Sequence, residues 1–181
     1  LDTMGMKVLA PDKWKEIALD SEELKSFEDG GSLVENIRTI SKASLKDMYA
    51  LEGQQVDKTE WITYPHVVNA FYYSLNNDVN FPVAFLQIPA VYSEDASYEE
   101  NLGGIGFVIG HELSHAFDSS GSQYDENGNA VNWWTEEDAA AFSALCDNVV
   151  EYYSGQEDAP GIETKPVQTL TENIADLGAM S

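Results

Sequence analysis

Apolar positions change their spacing along this chain, and each spacing predicts an element. Residues 6 to 9, MKVL, predict a short strand, and Pro11 suits the first turn of a short helix reaching about Leu19. After a polar, glycine-marked break at Asp29 to Gly31, Ser32 and Glu35 make a capping box. Leu33, Ile37, Ile40 and Leu45 then follow at near-helical period, which predicts a helix to about Leu51. Between Trp61 and Tyr73 the run VVNAFYY is rich in β-branched and aromatic residues. With FPVAFLQ, Phe81 to Gln87, it predicts two strands around a polar turn at Asn76 to Asn80, Pro82 placing the second strand at an edge or at its own beginning.

From Leu102 to between Ser119 and Gly121 the pattern predicts a helix buried on most sides by Phe107, Val108, Ile109, Leu113, Ala116 and Phe117. Gly103, Gly104, Gly106 and Gly110 weaken its early turns, so close packing of neighbours must compensate. Asn127-Gly128 signals a hairpin turn. The surrounding run imitates a calcium loop, but Ala130 stands where such a loop needs glycine for its sharp turn. Thr135 with Asp138 caps a helix carrying Ala140, Phe142, Leu145, Val149 and Tyr152 to about Tyr153. Residues 154 to 166, polar with two prolines, predict a loop, and a last helix begins near Thr169. Helices with a few short strands make a helix-rich α+β chain, without repeats, low-complexity tracts or a second-domain boundary.

Composition changes this picture in one respect. Nine basic against 32 acidic residues leave a net charge of -23, which opposes nucleic acid and anionic membrane surfaces by repulsion. No apolar run approaches the roughly 20 residues that span a bilayer, and the N-terminus lacks the order of a signal peptide. Neither membrane contact nor a nucleic-acid partner is expected of this segment. The compartment stays open: an extracellular or membrane-anchored parent and a bacterial cytoplasmic one are both compatible. Cys146 is the single cysteine, which excludes an internal disulfide and reads as a small buried apolar residue.

Candidate chemistry lies in His111, Glu112 and His115, the pattern His-Glu-x-x-His. Residues four apart share one helix face, with Cβ atoms roughly 6 Å apart, so both imidazoles can reach one metal ion. Zinc favours neutral imidazole, and a catalytic zinc takes three protein ligands and a water whose pKa it lowers to about 7. Glu112 sits about 100° round the helix, where its carboxylate can act as general base. His66, after Pro65 in an expected loop, reads as structural or solvent-facing rather than as a ligand.

Two histidines need a third ligand. Glu172 opens the last helix with Asp176 four residues on, so Glu172 can bind the metal while Asp176 accepts the outer N–H of a liganding histidine. The same residues equally allow Thr169 and Glu172 to form a capping box, with Asp176 merely solvated. Spacing alone leaves the two readings level.

Several further stretches carry a resemblance: VNAFYY (68–73), FPVAFLQ (81–87), GGIGFVIGHELSHAFD (103–118), WWT (133–135) and ENIAD (172–176). With weaker likeness in KVLAPDKW and VDKTEW, the chain resembles the zinc-binding part of the neprilysin and endothelin-converting enzyme family, thermolysin-like zinc metalloendopeptidases of the gluzincin type. The resemblance implies a thermolysin-like core, incomplete here, with a small sheet and an edge strand. It implies one zinc ion on His111, His115 and Glu172, with Glu112 as base, Asp176 oriented toward His111, and peptide substrates. Asn69 and Ala70 would lie on the edge strand that holds substrate backbone by strand addition. Asp118 is shared with the family but receives no role.

Family enzymes also carry a large helical domain and a C-terminal part with an oxyanion-stabilising histidine and a substrate-anchoring arginine. The chain stops at Ser181, so residues 1–181 are expected to be a single partial catalytic domain. The remainder of the parent enzyme would be its partner, and turnover by this part alone is expected to be poor or absent. A different class of function, a catalytically silent zinc-containing peptide-binding module, is the alternative.

Overall fold

A computed structural model describes residues 1–13 and 24–181. The short helix expected to follow Pro11 lies largely outside them. The chain divides into two compact units, Pro11–Glu60 and the combination of Leu1–Ala10 with Trp61–Ser181.

In the unit Pro11–Glu60, helix α1 (Leu33–Ala50) starts where the sequence predicts it. The Ser32 hydroxyl oxygen accepts the Glu35 N–H at 3.2 Å and its O–H donates to the Glu35 carboxylate at 3.0 Å. Asn36 ties the helix to the preceding chain, its side chain accepting from Lys25 N at 3.2 Å and donating to Lys25 O at 2.8 Å.

The other unit is built on a three-stranded sheet of β1 (Gly5–Leu9), β2 (Phe71–Tyr73) and β3 (Asp78–Pro82), in the order β1-β3-β2. Strand β1 runs parallel to β3 with Gly5 opposite Asp78, and β2 is antiparallel with Tyr72 opposite Val79. The strand expected over Phe81 to Gln87 is therefore displaced. It begins within the expected turn, and Val83–Leu86 coil into a short helix, α2. Pro82 closes the central strand rather than opening an edge one. Strand β3 hides from pattern reading because Asp78 and Asn80 are polar yet buried. The Asp78 carboxylate is satisfied laterally, by Lys7 Nζ at 2.5 Å and by the Asn80 amide donating to it at 2.7 Å, while Asn80 Oδ1 finds no partner among the described residues. Asn77, at φ 54°, makes the tight turn between β2 and β3 in the left-handed region that asparagine tolerates.

Val79 and Phe81 project from β3 to the opposite face, where with Ala70 they form the buried core. Val108, Ile109 and Leu113 pack on them, which holds the motif helix to the sheet. That helix is composite. A capping box of Ser97 and Glu100 starts α3 (Tyr98–Asn101), a π-helical turn takes up Leu102–Gly106, α4 covers Phe107–Ser114, and a tighter turn ends it at His115–Phe117. Burial is less complete than the apolar pattern suggests: Glu112 is the one buried residue of α4, and Phe117 is 42% exposed.

Helix α5 (Glu136–Tyr153) is capped by Thr135, which accepts from Asp138 N at 3.1 Å and donates to its carboxylate at 2.7 Å. Within the expected loop, β4 (Glu157–Ala159) and β5 (Ile162–Glu163) form a small hairpin turned through Gly161 at φ 77°. Helix α6 (Leu170–Ala179) closes the unit. Asp125 Oδ1 accepts the N–H groups of Asn127 and Asn129 at 2.9 and 2.8 Å, so the expected turn at Gly128 forms between single bridging residues, Tyr124 and Ala130. Among the described residues no helix is long and apolar enough to cross a membrane.

The Lys7–Asp78 pair joins β1 to β3 with side chains only 10% and 3% exposed. Breaking a buried pair on one side leaves a charge uncompensated, so Asp78→Ala is expected to lower the free energy of unfolding by about 3–5 kcal/mol. In a urea titration the double replacement Lys7→Met/Asp78→Leu should recover part of that loss.

Candidate metal centre

His111 lies on α4 and His115 in the tight turn that continues it, and their rings meet edge to face with centroids 4.6 Å apart. Each outer nitrogen is held by a carboxylate. His111 Nδ1 lies 2.9 Å from Asp176 Oδ1 on α6, and His115 Nδ1 lies 2.7 Å from Asp118 Oδ2, three residues ahead. Asp118 is 3% exposed and also accepts the N–H groups of Ser120 and Gly121, both at 2.7 Å. An ionised carboxylate can only accept, so both Nδ1 atoms carry a proton, and each ring in its neutral form presents a bare Nε2 to the interior of the site.

Those two Nε2 atoms lie 3.0 Å apart, and Glu172 Oε2 stands 3.3 Å from that of His111 and 3.7 Å from that of His115. With both rings neutral, three lone pairs converge, an arrangement that suits a cation. Zinc bonds of about 2.0–2.2 Å in a tetrahedral shell separate neighbouring ligand atoms by roughly 3.3–3.6 Å. The observed edges of 3.0, 3.3 and 3.7 Å bracket that value. The donor set fits zinc in both chemistry and span.

The capping alternative for Glu172 does not form. Thr169 caps no N–H of α6, and its hydroxyl accepts from Asn173 at 3.0 Å instead. The Glu172 side chain is left 61% exposed with its Oε2 turned to the imidazoles.

Glu112, 6% exposed, lies with these groups in a cleft of about 550 Å³. Burial pushes its carboxyl above the usual carboxylate range, an effect opposed by His115, by His111 and by the Tyr72 backbone N–H. Asn69 and Ala70 line the cleft too, although the edge strand β2 starts only at Phe71, just beyond them. His66 lies outside it, stacked on Tyr64 with ring centroids 5.6 Å apart. Cys146 is half-buried on α5, where burial raises its thiol pKa.

The profile of peptidase family M13 matches residues 69–181, from the edge of the sheet through helices α4 and α6. The chain belongs to peptidase family M13. Across its whole length it is 36% identical to the neutral endopeptidase of Lactobacillus helveticus, covering 27% of that protein. Human neprilysin is 37% identical over 91% of the chain, a match that takes in 21% of neprilysin. The Mycobacterium tuberculosis zinc metalloprotease Zmp1, solved in complex with an inhibitor, superposes on 99% of the chain with a TM-score of 0.82 at 35% identity, 27% of that chain being covered. The helix-rich core with its small sheet is thus an M13 fold, and the neprilysin resemblance of the sequence holds. The chain spans about a quarter of the length of the M13 relatives it matches.

Asp118 is the residue to which sequence reasoning assigns no role. Its signal is present, a carboxylate three residues after a histidine near a helix end, but such pairs are common on solvated surfaces. Only the burial of Asp118 and its two backbone donors distinguish it.

In the metal-free protein the hydrogen bond to Asp118 raises the His115 pKa above the usual 6.5, burial acting against it. Protons must therefore compete with metal from above pH 6.5 downward, and chelator-competition titrations should show zinc affinity falling as pH drops through that range. Asp118→Asn should move the onset to lower pH and weaken zinc binding about 10–100-fold even at high pH.

Proposed function

We propose that this chain is the metal-binding part of a zinc endopeptidase that hydrolyses peptide bonds of small peptides. The observation that carries the proposal is the convergence of His111, His115 and Glu172, whose ligand atoms all lie within 4.8 Å of one another beside the buried carboxylate of Glu112. These three residues would hold one zinc ion, which when bound supplies Lewis acidity toward the scissile carbonyl and acidifies water near neutral pH.

Glu112 takes the proton from the attacking water as its oxygen bonds to the carbonyl carbon. It delivers that proton to the amide nitrogen as the C–N bond breaks, so no covalent enzyme intermediate is needed. A carboxyl raised by burial suits this exchange, since its proton affinity moves toward the working pH. Asp176 and Asp118 keep each imidazole in the tautomer that exposes Nε2. Asn69 and Ala70, just ahead of β2, align the peptide backbone along the cleft wall, which supports strand addition at this edge of the sheet. A binding module without turnover would have no use for a carboxylate buried at this cost beside the metal ligands.

The family names of the relatives support peptide substrates, and their length supports action as part of a longer enzyme. Peptide turnover by residues 1–181 is expected to be slower than by a chain of the relatives' length, by roughly 10²–10³-fold if a single oxyanion donor is lacking. Glu112→Gln should reduce cleavage of a fluorogenic peptide by roughly 10²–10⁴-fold while zinc content stays at the unaltered level. Retained cleavage would remove Glu112 from the role of base.

A further inference from the structure

Helices α4 and α6 carry all the proposed ligands but His115, which follows α4 directly, and the two helices meet through very small groups. A Cβ on Gly178 would lie 2.0 Å from Ser114 Oγ and 2.7 Å from Ser114 Cβ. A Cβ on Gly110 would lie 2.9 Å from the Cα of Ala179. Neither glycine has a positive φ, so both occupy ordinary helical backbone that alanine would favour. What glycine supplies here is room. Ser114 is not free to swing aside without loss, because its hydroxyl donates to Gly110 O at 2.8 Å. Ala175, on the same side of α6, is fully buried.

Gly178 stands two residues beyond Asp176 and six beyond Glu172, so whatever sets its distance from Ser114 also sets how far those carboxylates reach. Asp176 touches His111 at 2.9 Å, and Glu172 Oε2 lies 3.3 and 3.7 Å from the two imidazoles. We propose that Gly178, seated directly on Ser114, is a positioning residue that fixes the approach of α6 to α4 and thereby the spacing of the Glu172 carboxylate from His111 and His115. The inference rests on the zinc-site reading above. Metal–ligand distances tolerate only about 0.2 Å. A methyl group at position 178 would lie 2.0 Å from Ser114 Oγ and 2.7 Å from Ser114 Cβ, and since turning the hydroxyl away leaves the contact with Cβ, α6 and the backbone at Ser114 must separate by a few tenths of an ångström.

The experiment compares the unaltered protein with Gly178→Ala, Ser114→Gly and the two combined. Zinc affinity is measured by competition with a chromophoric chelator, folding by circular dichroism, and site geometry by the visible absorption of bound cobalt(II). Gly178→Ala should bind zinc about 10–100-fold more weakly and lose the intense absorption of four-coordinate cobalt. Adding Ser114→Gly, which removes the obstructing group, should return both readouts to near their starting values. Gly103→Ala, at an exposed position with open space around the added carbon, should change neither. If Gly178→Ala alone does not fold, the double variant must fold and bind like the unaltered protein.

A folded Gly178→Ala with undiminished zinc affinity overturns the inference, as does a double variant that is unfolded or still weak. These outcomes are separate from failure of the site itself. That failure would appear as an unaltered protein that binds no zinc, or as a His111→Ala variant that binds it equally well.

Discussion

Two imidazoles cannot face each other bare across 3.0 Å without something positive between or beside them. The carboxylates of Asp176 and Asp118 create this situation by claiming both Nδ1 protons, and Glu172 sharpens it by adding a third acceptor. A proton relieves one contact at most, whereas a divalent ion relieves all three. A site so built would be stabilised by its cation, and α6 would be tied to α4 partly through it. Metal binding and the docking of the last helix would then be one equilibrium, as expected where ligands come from separate elements.

The sheet gives that pair of helices its foundation. Val79 and Phe81 on one face of β3 hold α4 by apolar contact, while Asp78 and Asn80 on the other face lock β3 through polar contacts, Asp78 to β1 through Lys7. Edge strand β2 then runs beside the cleft, with its Tyr72 backbone at Glu112. The Glu112 carboxylate is held from two sides, by the helix that bears it and by the strand edge, and the burial that results raises its proton affinity.

Much of this is legible in the chain itself. Ser32 and Thr135 start helices where their hydroxyls meet an acidic residue three positions on, and the four-residue spacing of His111 and His115 fixes a shared direction. Local chemistry decides those features, and local chemistry is what sequence displays. Glu172 is legible only in part: its helix and its spacing from Asp176 can be read, but its turn toward the imidazoles depends on how α6 packs. Strand β3 resists reading for the opposite reason. Asp78 and Asn80 imitate a turn, and Lys7, 71 residues away in sequence, is what makes the burial of Asp78 tolerable. Asp118 looks like any surface carboxylate until its backbone donors are seen. The early glycines of the motif segment enter a π-helical turn rather than α-helix, which residue periodicity does not report.

The central claim is that a carboxylate from the last helix completes the metal shell begun by two imidazoles on another. X-ray absorption at the zinc edge, recorded for the unaltered protein and for Glu172→Ala, tests it most directly. Two imidazole nitrogens and a carboxylate oxygen at about 2.0–2.2 Å are predicted for the first, with the carboxylate replaced by solvent oxygen and the affinity lowered in the second. Identical zinc spectra and equal affinity in the two proteins would contradict it.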